Sequence, residues 1–451
     1  MHSHTELNQR LKQEQPLQDR AIFKVSEESS LSKVANDSDT VPGHSGKSRI
    51  LLAISVQPTD TMLQAIAAGK QPRRDYHALQ QALDADVMYP NDTQTTLLGR
   101  LIRRLFGARI VVAWGAYRRR KAYDYIFSDT EKVGLPLAML MKLSRTPPGH
   151  PRHTLIAQYL SPFEKRIFFR LGAGSHLDTI SVHSSAQYAL ATDILHMPKE
   201  RMILLPMFAD TEFWRPPEPS NSNSDIVATT TQRPMIFSAG LERRDYPTLF
   251  AAVRDLDLDV HIAAASAAAI HRDAADRRTR GTGTRLSDLP SNVFIKSCNY
   301  VEMRQLYVAA RFVVVSVVET DDSAGLTVIL EAMAMGKAVI VSGTRGQTDV
   351  IRDPRNDGRG LVKREWWPGF LDNPEVADTL GRLPTGFYVT PGDPDELREM
   401  IQYLLNHPEV AEELGRNGRR VIEEYFTLEA FAQRHAAAIL GKAHTIPKHN
   451  T

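Results

Sequence analysis

The sequence predicts an α/β protein of two tandem halves, each a parallel sheet flanked by helices. Three observations carry this. Short continuous apolar runs, suited to strands buried on both faces, alternate with helical segments along most of the chain. A break of Pro, Ser and Asn, Pro216 to Ser224, interrupts the alternation, and the same pattern restarts after it. The 451 residues exceed one typical core, so two domains are the natural expectation.

Composition narrows the class. Apolar content of 42% and charged content of 24% belong to a soluble globular protein. A net charge of +2 gives no global attraction to nucleic acid. The single cysteine, Cys298, excludes an internal disulfide and any Cys/His metal spacing, and a reducing, cytoplasmic setting is expected. No apolar run approaches the roughly 20 residues of a membrane span. Residues 1–47 are polar, mixed in charge and without the apolar stretch of a secretory signal, and read as a disordered tail.

Strands are expected at Arg49 to Ser55, Ala85 to Tyr89, Tyr123 to Ser128, Thr154 to Tyr159, Thr179 to His183 and Met202 to Pro206. Helices are expected at Arg74 to Leu83 and, one or two of them, between Leu97 and Tyr123. After the break, strands follow at Met235 to Ala239, Asp259 to Ala264, Val293 to Lys296 and Phe312 to Val318, with helices at Tyr246 to Leu256 and Val301 to Ala310. Ala274 to Leu289 reads as a polar loop and Arg352 to Thr385 as irregular. Three helices, Pro394 to Leu405, Val410 to Tyr425 and Leu428 to Leu440, close the chain.

The stretch Ser323 to Ser342 is expected to be a short helix followed by a strand. Ser323 is placed as its N-cap, Gly336 as its left-handed C-cap, and Leu326, Ile329, Leu330 and Met333 as its packing stripe. Such a helix start can hold a phosphate on its unpaired amides, and Gly325 lets a ligand approach the backbone. Glu331, one turn in and off the stripe, can accept from ribose hydroxyls; the bland alternative leaves it in solvent.

Three segments carry a resemblance. Phe237 to Leu249 (FSAGLERRDYPTL) is similar to a strand, glycine, basic loop and helix whose cations grip a diphosphate. The Ser323 to Lys337 stretch is similar to a motif ending E-A-M-A-x-G-K, and Gly386 to Leu397 to a late loop before the last helices. Together with Pro206 to Pro216, they resemble the GT-B-fold retaining glycosyltransferases of the large bacterial glycosyl transferases group 1 (family four) type. The resemblance spans about residues 48 to 441. It implies an N-terminal acceptor-side domain over 48–215, a linker at 216–233, and a nucleotide-sugar domain over 234–427. A final helix, about 428–441, then packs back on the first domain. It further implies transfer of a sugar from a nucleoside diphosphate sugar to a hydroxyl acceptor with retention, with no cofactor and no metal site. The acceptor side is left open between a carbohydrate, a lipid-linked and a small-molecule acceptor.

Donor-binding residues carried over are Arg243, Arg244, Ser323, Gly325, Leu326, Thr327 and Glu331, with Arg244 and Glu331 the best catalytic candidates. The sequence departs from the pattern where Ser323 replaces the first of two glutamates, with Glu319, Asp321 and Asp322 just upstream. It departs again where Ser55 to Thr59 lacks a Gly-Gly turn, and where Gln158 stands in place of a histidine. Gln158, Asp129 and Glu131 are the candidates for acceptor or sugar contact; an amide can hydrogen-bond but cannot act as an acid or base. Arg103-Arg104 and Arg118 to Lys121 flank apolar and aromatic residues. The preferred expectation is a solvated face whose apolar side packs on the sheet, and peripheral contact with an anionic membrane is the alternative. A nucleotide-sugar epimerase and a non-catalytic binding subunit of the same fold remain open alternatives in function.

Overall fold

The computed structural model describes residues 48–93, 96–205, 207–217, 233–264, 289–347, 349–355 and 383–440. The expected tail 1–47, most of the linker (218–232) and most of the polar and irregular segments (265–288 and 356–382) lie outside the described residues.

The first half runs β1 (Ile50–Ala53), α1 (Asp60–Ala67), α2 (Asp75–Leu83), β2 (Asp86–Met88), α3 (Leu97–Phe106), α4 (Ala108–Arg119) and β3 (Tyr125–Ser128). It continues through α5 (Glu131–Leu143), β4 (Arg152–Ala157), α6 (Phe163–Arg170), β5 (Thr179–Val182), α7 (Ser185–Ala189) and β6 (Met202–Leu204). In the second half come β7 (Met235–Ala239), α8 (Tyr246–Val253), β8 (Asp259–Ala263), β9 (Val293–Lys296), α9 (Tyr300–Ala309) and β10 (Val313–Val315). Then follow α10 (Leu326–Ala334), β11 (Val339–Ser342), β12 (Gly386–Val389), α11 (Pro394–Asn406), α12 (Pro408–Tyr425) and α13 (Leu428–Leu440).

Each half holds a six-stranded sheet, ordered β2-β1-β3-β4-β5-β6 and β12-β11-β10-β7-β8-β9. Every strand pairing in both is parallel. The apolar runs explain this. Strands such as Ile50–Ala53 and Val313–Val315 are buried at every position, because helices cover both faces. Strand order reverses between β1 and β3 in the first sheet and between β7 and β10 in the second. Ligands of open α/β sheets sit outside the carboxyl ends at such switch points.

The chain passes between the halves twice, side by side. The Ala209 amide donates to Phe426 O at 2.8 Å, and Ala209 bridges Thr427 in parallel. Beyond the outward crossing, Trp214 is buried against Tyr307 of α9. Beyond the return crossing, α13 lays Phe431, Ala432, Ala436 and Ile439 on the first sheet beside Ile50, Leu52 and Ile54. His435 of that helix meets Ser181 of β5 at 2.9 Å.

Arg73 binds these pieces together. Its Nη2 donates to Asp210 Oδ1 at 2.6 Å and its own amide to Asp210 Oδ2 at 2.7 Å. Its Nη1 lies 2.8 Å from Glu429 at the start of α13. Burial works against the guanidinium charge, but Asp210, Glu429 and Glu212 hold it above its ordinary range. Asp210 is buried, so removing either partner strands a charge. Asp210→Ala is therefore expected to cost about 2–4 kcal/mol in urea unfolding, and Glu212→Ala, exposed on the rim, under about 1 kcal/mol.

Two local expectations are corrected. Helix α10 begins later than Ser323: its N-cap is Gly325, at φ +90°. The Ser323 hydroxyl has no partner, while its carbonyl accepts from Leu326 N at 3.1 Å. Helix α10 is also buried at every position but Thr327 in its first turn, and Glu331 is not in solvent.

Candidate functional site

The carboxyl ends of β7 and β10 hold a loop and a helix start that fit each other. The loop Gly240 to Asp245 returns Arg244 across the end of the sheet. Arg244 Nε donates to Ala239 O at 2.7 Å and Nη1 to Glu242 O at 2.9 Å. The guanidinium lies between two glycines with left-handed backbones. A Cβ on Gly240 (φ +95°) would come 2.5 Å from Nη2. One on Gly325 (φ +90°) would sit 3.4 Å from Nη1 and 2.6 Å from Val315. Neither position tolerates a side chain, which explains both glycines. Loss of solvent pushes Arg244 below its ordinary range, and Tyr246, Tyr307 and two carboxylates pull it back. Among the described residues its Nη2 has no hydrogen-bond partner.

Arg243 precedes it with φ +58°, and its Nε stands 3.5 Å from Asp322 Oδ2. Asp322 is itself buried, accepting from Thr320 Oγ1 at 2.9 Å and from the Ala324 amide at 3.3 Å. A carboxylate therefore stands next to the Ser323 position, one residue early in the chain. Glu319 and Asp321 are instead engaged by Arg345, at 3.7 and 2.9 Å.

Helix α10 contributes its first turn and Glu331. The Leu326 amide is closed by Ser323 O, so the donors left at this end belong to its neighbours Gly325 and Thr327. Glu331 accepts from Tyr307 Oη at 2.9 Å inside the fold. Burial pushes its carboxyl up to about 8, against the hydrogen bond from Tyr307 and the charges of Arg74 and Arg244. Around this point several buried side-chain oxygens have no partner: Ser316 after β10, Ser323, Thr344 after β11, and Gln347 Oε1. Buried polar atoms left open together mark a place where a polar ligand belongs.

The first sheet presents its own switch point opposite. Asp129, after β3, takes the amide and hydroxyl of Ser55, after β1, on Oδ2 at 2.8 and 2.7 Å. That carboxylate braces the turn that lacks Gly-Gly. Its Oδ1 is buried and open, and burial raises the group to about 6. Glu131 is used internally: Lys165 Nζ is 2.6 Å away and the Gln158 amide donates at 3.0 Å. Gln158 itself is exposed at the end of β4.

Side chains cross from one half to the other at this level. Arg74 Nη2 reaches Tyr300 Oη at 3.4 Å, Ser185 gives its amide and hydroxyl to Asp349 at 2.6 and 2.7 Å, and Gln187 Nε2 donates to Asp321 O at 2.9 Å. The sequence reading did not single out Tyr307, Arg74, Asp349 or Gln347. For Arg74 the available signal was a basic pair directly before a helix; for Tyr307 there was none, because its spacing is that of any core aromatic.

With this geometry in place, comparison with known proteins decides the fold class. Residues 258–407 match the family model described as "Glycosyl transferases group 1". The fold is GT-B, and the family match covers a third of the chain, within its second half. Sucrose-phosphate synthase from Thermosynechococcus elongatus superposes with a TM-score of 0.57 at 17% identity, covering 88% of this chain and 99% of the other. Anabaena Alr3699/HepE, in complex with UDP and glucose, gives 0.54 at 16% identity over 88% and 100%. A glycosyltransferase from Rickettsia africae gives 0.53 at 12% over 88% and 99%. No curated protein matches in sequence.

Glu331 makes the GT-B site pH-sensitive in stability. Between about 4.5 and 8 the folded carboxyl keeps a proton that the unfolded chain has released. The folded state binds more protons there, so this group's contribution falls as pH rises through that window and levels off above it. Glu331→Gln removes the titration. Urea unfolding from pH 5 to 8 should show the variant gaining on the wild type, by at most roughly 1.4 kcal/mol per pH unit.

Proposed function

We propose that the protein moves a sugar from a nucleoside diphosphate sugar to a hydroxyl acceptor, with retention at the anomeric carbon and without a metal ion. The observation that carries this reading is Arg244, a cation with an open Nη2 pinned between two glycines at the start of α10. As the bond from sugar to diphosphate breaks, negative charge grows on the leaving group. Arg244, Arg243 and the amides of Gly325 and Thr327 stabilise it there, in the role a divalent ion plays elsewhere. The open oxygens of Ser316, Ser323, Thr344 and Gln347 offer partners to the sugar and nucleotide hydroxyls. Glu331 Oε1 accepts from ribose, while Oε2 stays with Tyr307. The UDP and glucose in the Anabaena structure support the same class of ligand here.

On the acceptor side, Asp129 Oδ1 and the exposed Gln158 amide contact the incoming hydroxyl or the sugar, and Glu131 positions Gln158 through its backbone. The epimerase alternative needs an acid/base pair on the donor sugar, and no histidine stands at Gln158. A single cysteine, part-buried, accords with a reducing cytoplasmic setting.

A thermal-shift screen over UDP-, GDP-, ADP- and dTDP-sugars tests the donor claim. One nucleotide should raise the melting temperature, by about 2.7 kcal/mol of stabilisation at a hundredfold excess over Kd. With that donor, Arg243→Ala should lower nucleotide release roughly tenfold to hundredfold, the loss of one charge-assisted contact, and Glu331→Gln should lower it by up to roughly tenfold, the loss of one neutral hydrogen bond to ribose. Full activity in both variants rejects the site, and no shift with any nucleoside diphosphate rejects the donor.

A further inference from the structure

Helix α3 is mounted the wrong way round for a globular fold. Its buried side is Gly99, which lies so close to the carbonyl of Thr93 that no side chain fits there. Leu97, Leu101 and Leu105, spaced by one turn, face outward with Leu98 and Phe106 beside them. Their exposures are 79%, 51% and 64% for the stripe, and 53% and 65% for the neighbours. A surface helix ordinarily turns its apolar stripe to the core and its charges to water. The next helix, α4, does so, burying Val111, Val112 and Ala113. The preferred sequence expectation of packing on the sheet thus holds for α4 and fails for α3.

Charge says what covers the stripe. Between Thr93 and Tyr123 the chain carries seven arginines and one lysine and no acidic residue. Arg100 and Arg104, also one turn apart, run along one edge of the leucine row and are exposed, as is Arg109 just beyond. An apolar row edged by arginine and free of carboxylates complements a surface that is hydrocarbon beneath and anionic above. An acceptor protein surface would meet this helix with carboxylates and pockets; a bilayer needs only a short, flat, basic-rimmed apolar face. No helix among the described residues is long and apolar enough to cross a membrane, so contact is at the surface.

The position of α3 adds a direction. The segment leading into it holds Asn91, whose amide donates to Gln57 Oε1 at 3.0 Å and whose Oδ1 accepts from Arg103 at 3.0 Å. Gln57 lies on the turn after β1 that Asp129 braces. Helix α3 is therefore tied to the strand-carboxyl end of the first sheet, where the acceptor-side groups stand.

We propose that the outward face of α3 docks on an anionic lipid bilayer, holding the acceptor side of the cleft near the membrane surface. Docking does not depend on the transferase reading; only the assignment of that side of the cleft to the acceptor rests on it. The test is co-sedimentation of the full chain with vesicles of phosphatidylcholine and phosphatidylglycerol, or of phosphatidylcholine alone. Wild type should pellet with the anionic vesicles and bind the neutral ones at least about tenfold more weakly. Leu101→Ser/Leu105→Ser and Arg100→Gln/Arg104→Gln should each lose about tenfold of the anionic binding, with unchanged melting curves and unchanged nucleotide-induced shifts. Binding equal on both vesicles, or unaffected by both double variants, overturns the proposal. So does a wild-type dimer in sedimentation velocity that Leu101→Ser/Leu105→Ser makes monomeric without any vesicle binding, since the face then serves a second copy. A nucleotide shift without vesicle binding defeats the docking alone, and vesicle binding without a nucleotide shift defeats the donor reading alone.

Discussion

Two chain crossings laid against each other set the geometry on which everything else depends. The Ala209 amide on the carbonyl of Phe426 puts the outward and return strands of the connection in register. Arg73 then locks that junction to the first half through Asp210 and to the last helix through Glu429. Trp214 anchors the outward strand on the second half, and Phe431 the return strand on the first. A single crossing would leave the halves free to turn about one bond. Two, with a partly buried ion cluster between them, confine relative motion to a hinge and keep the switch point of one sheet opposite that of the other.

At that meeting point the fold concentrates unsatisfied polarity. Parallel strands end in amides and carbonyls that must find partners, and helix starts add more. Here the second sheet answers with backbone carbonyls that hold Arg244 and a tyrosine that holds Glu331, and still leaves the side-chain oxygens of Ser316, Ser323, Thr344 and Gln347 open. The buried carboxyl at about 8 and the guanidinium below its ordinary range are two sides of one condition. Both groups have been taken from water: the carboxyl holds its proton up to about 8, and the guanidinium is left, among the described residues, without a carboxylate partner of its own. A diphosphate entering beside Arg244, with hydroxyls donating to Glu331, would supply what each lacks. Asp322 keeps Arg243 oriented toward the same spot without neutralising Arg244.

Most of the fold was legible because parallel α/β architecture writes itself locally. A short, β-branched apolar run such as Phe312 to Val318 favours a strand covered on both faces, and α13 was readable to its end residues at Leu428 and Leu440. What failed locally was the start of α10. Ser323 has the chemistry of an N-cap, but the left-handed turn at Gly325 and the tight fit against Val315 move the start two residues on. The candidate site was legible where a motif carries it, in the glycines, the arginine pair and Glu331. Tyr307, Arg74, Asp349 and Gln347 come from four separate elements, and their meeting is a product of tertiary contact that no spacing encodes. Glu331 was found by motif, yet its environment was misjudged. A helical wheel shows it off the leucine stripe, and cannot show that Tyr307 of α9 meets it inside the fold and that only Thr327 of α10 reaches solvent.

The same limit explains α3. Its periodicity is that of an amphipathic helix, and in sequence that pattern says only that one side is apolar, not which way the side turns. Gly99 holds the orientation, because a Cβ there would come 2.1 Å from the carbonyl oxygen of Thr93. A larger residue there would lift the helix or roll it, and rolling would bring the leucines inward. The glycine thus commits five large apolar side chains to the outside, at a cost in hydration that nothing among the described residues returns. The proposed docking on a bilayer would return that cost. The hydrogen bonds from Asn91 to Gln57 and Arg103 fix that surface relative to the turn after β1, so what lies against α3 also lies near the mouth of the cleft.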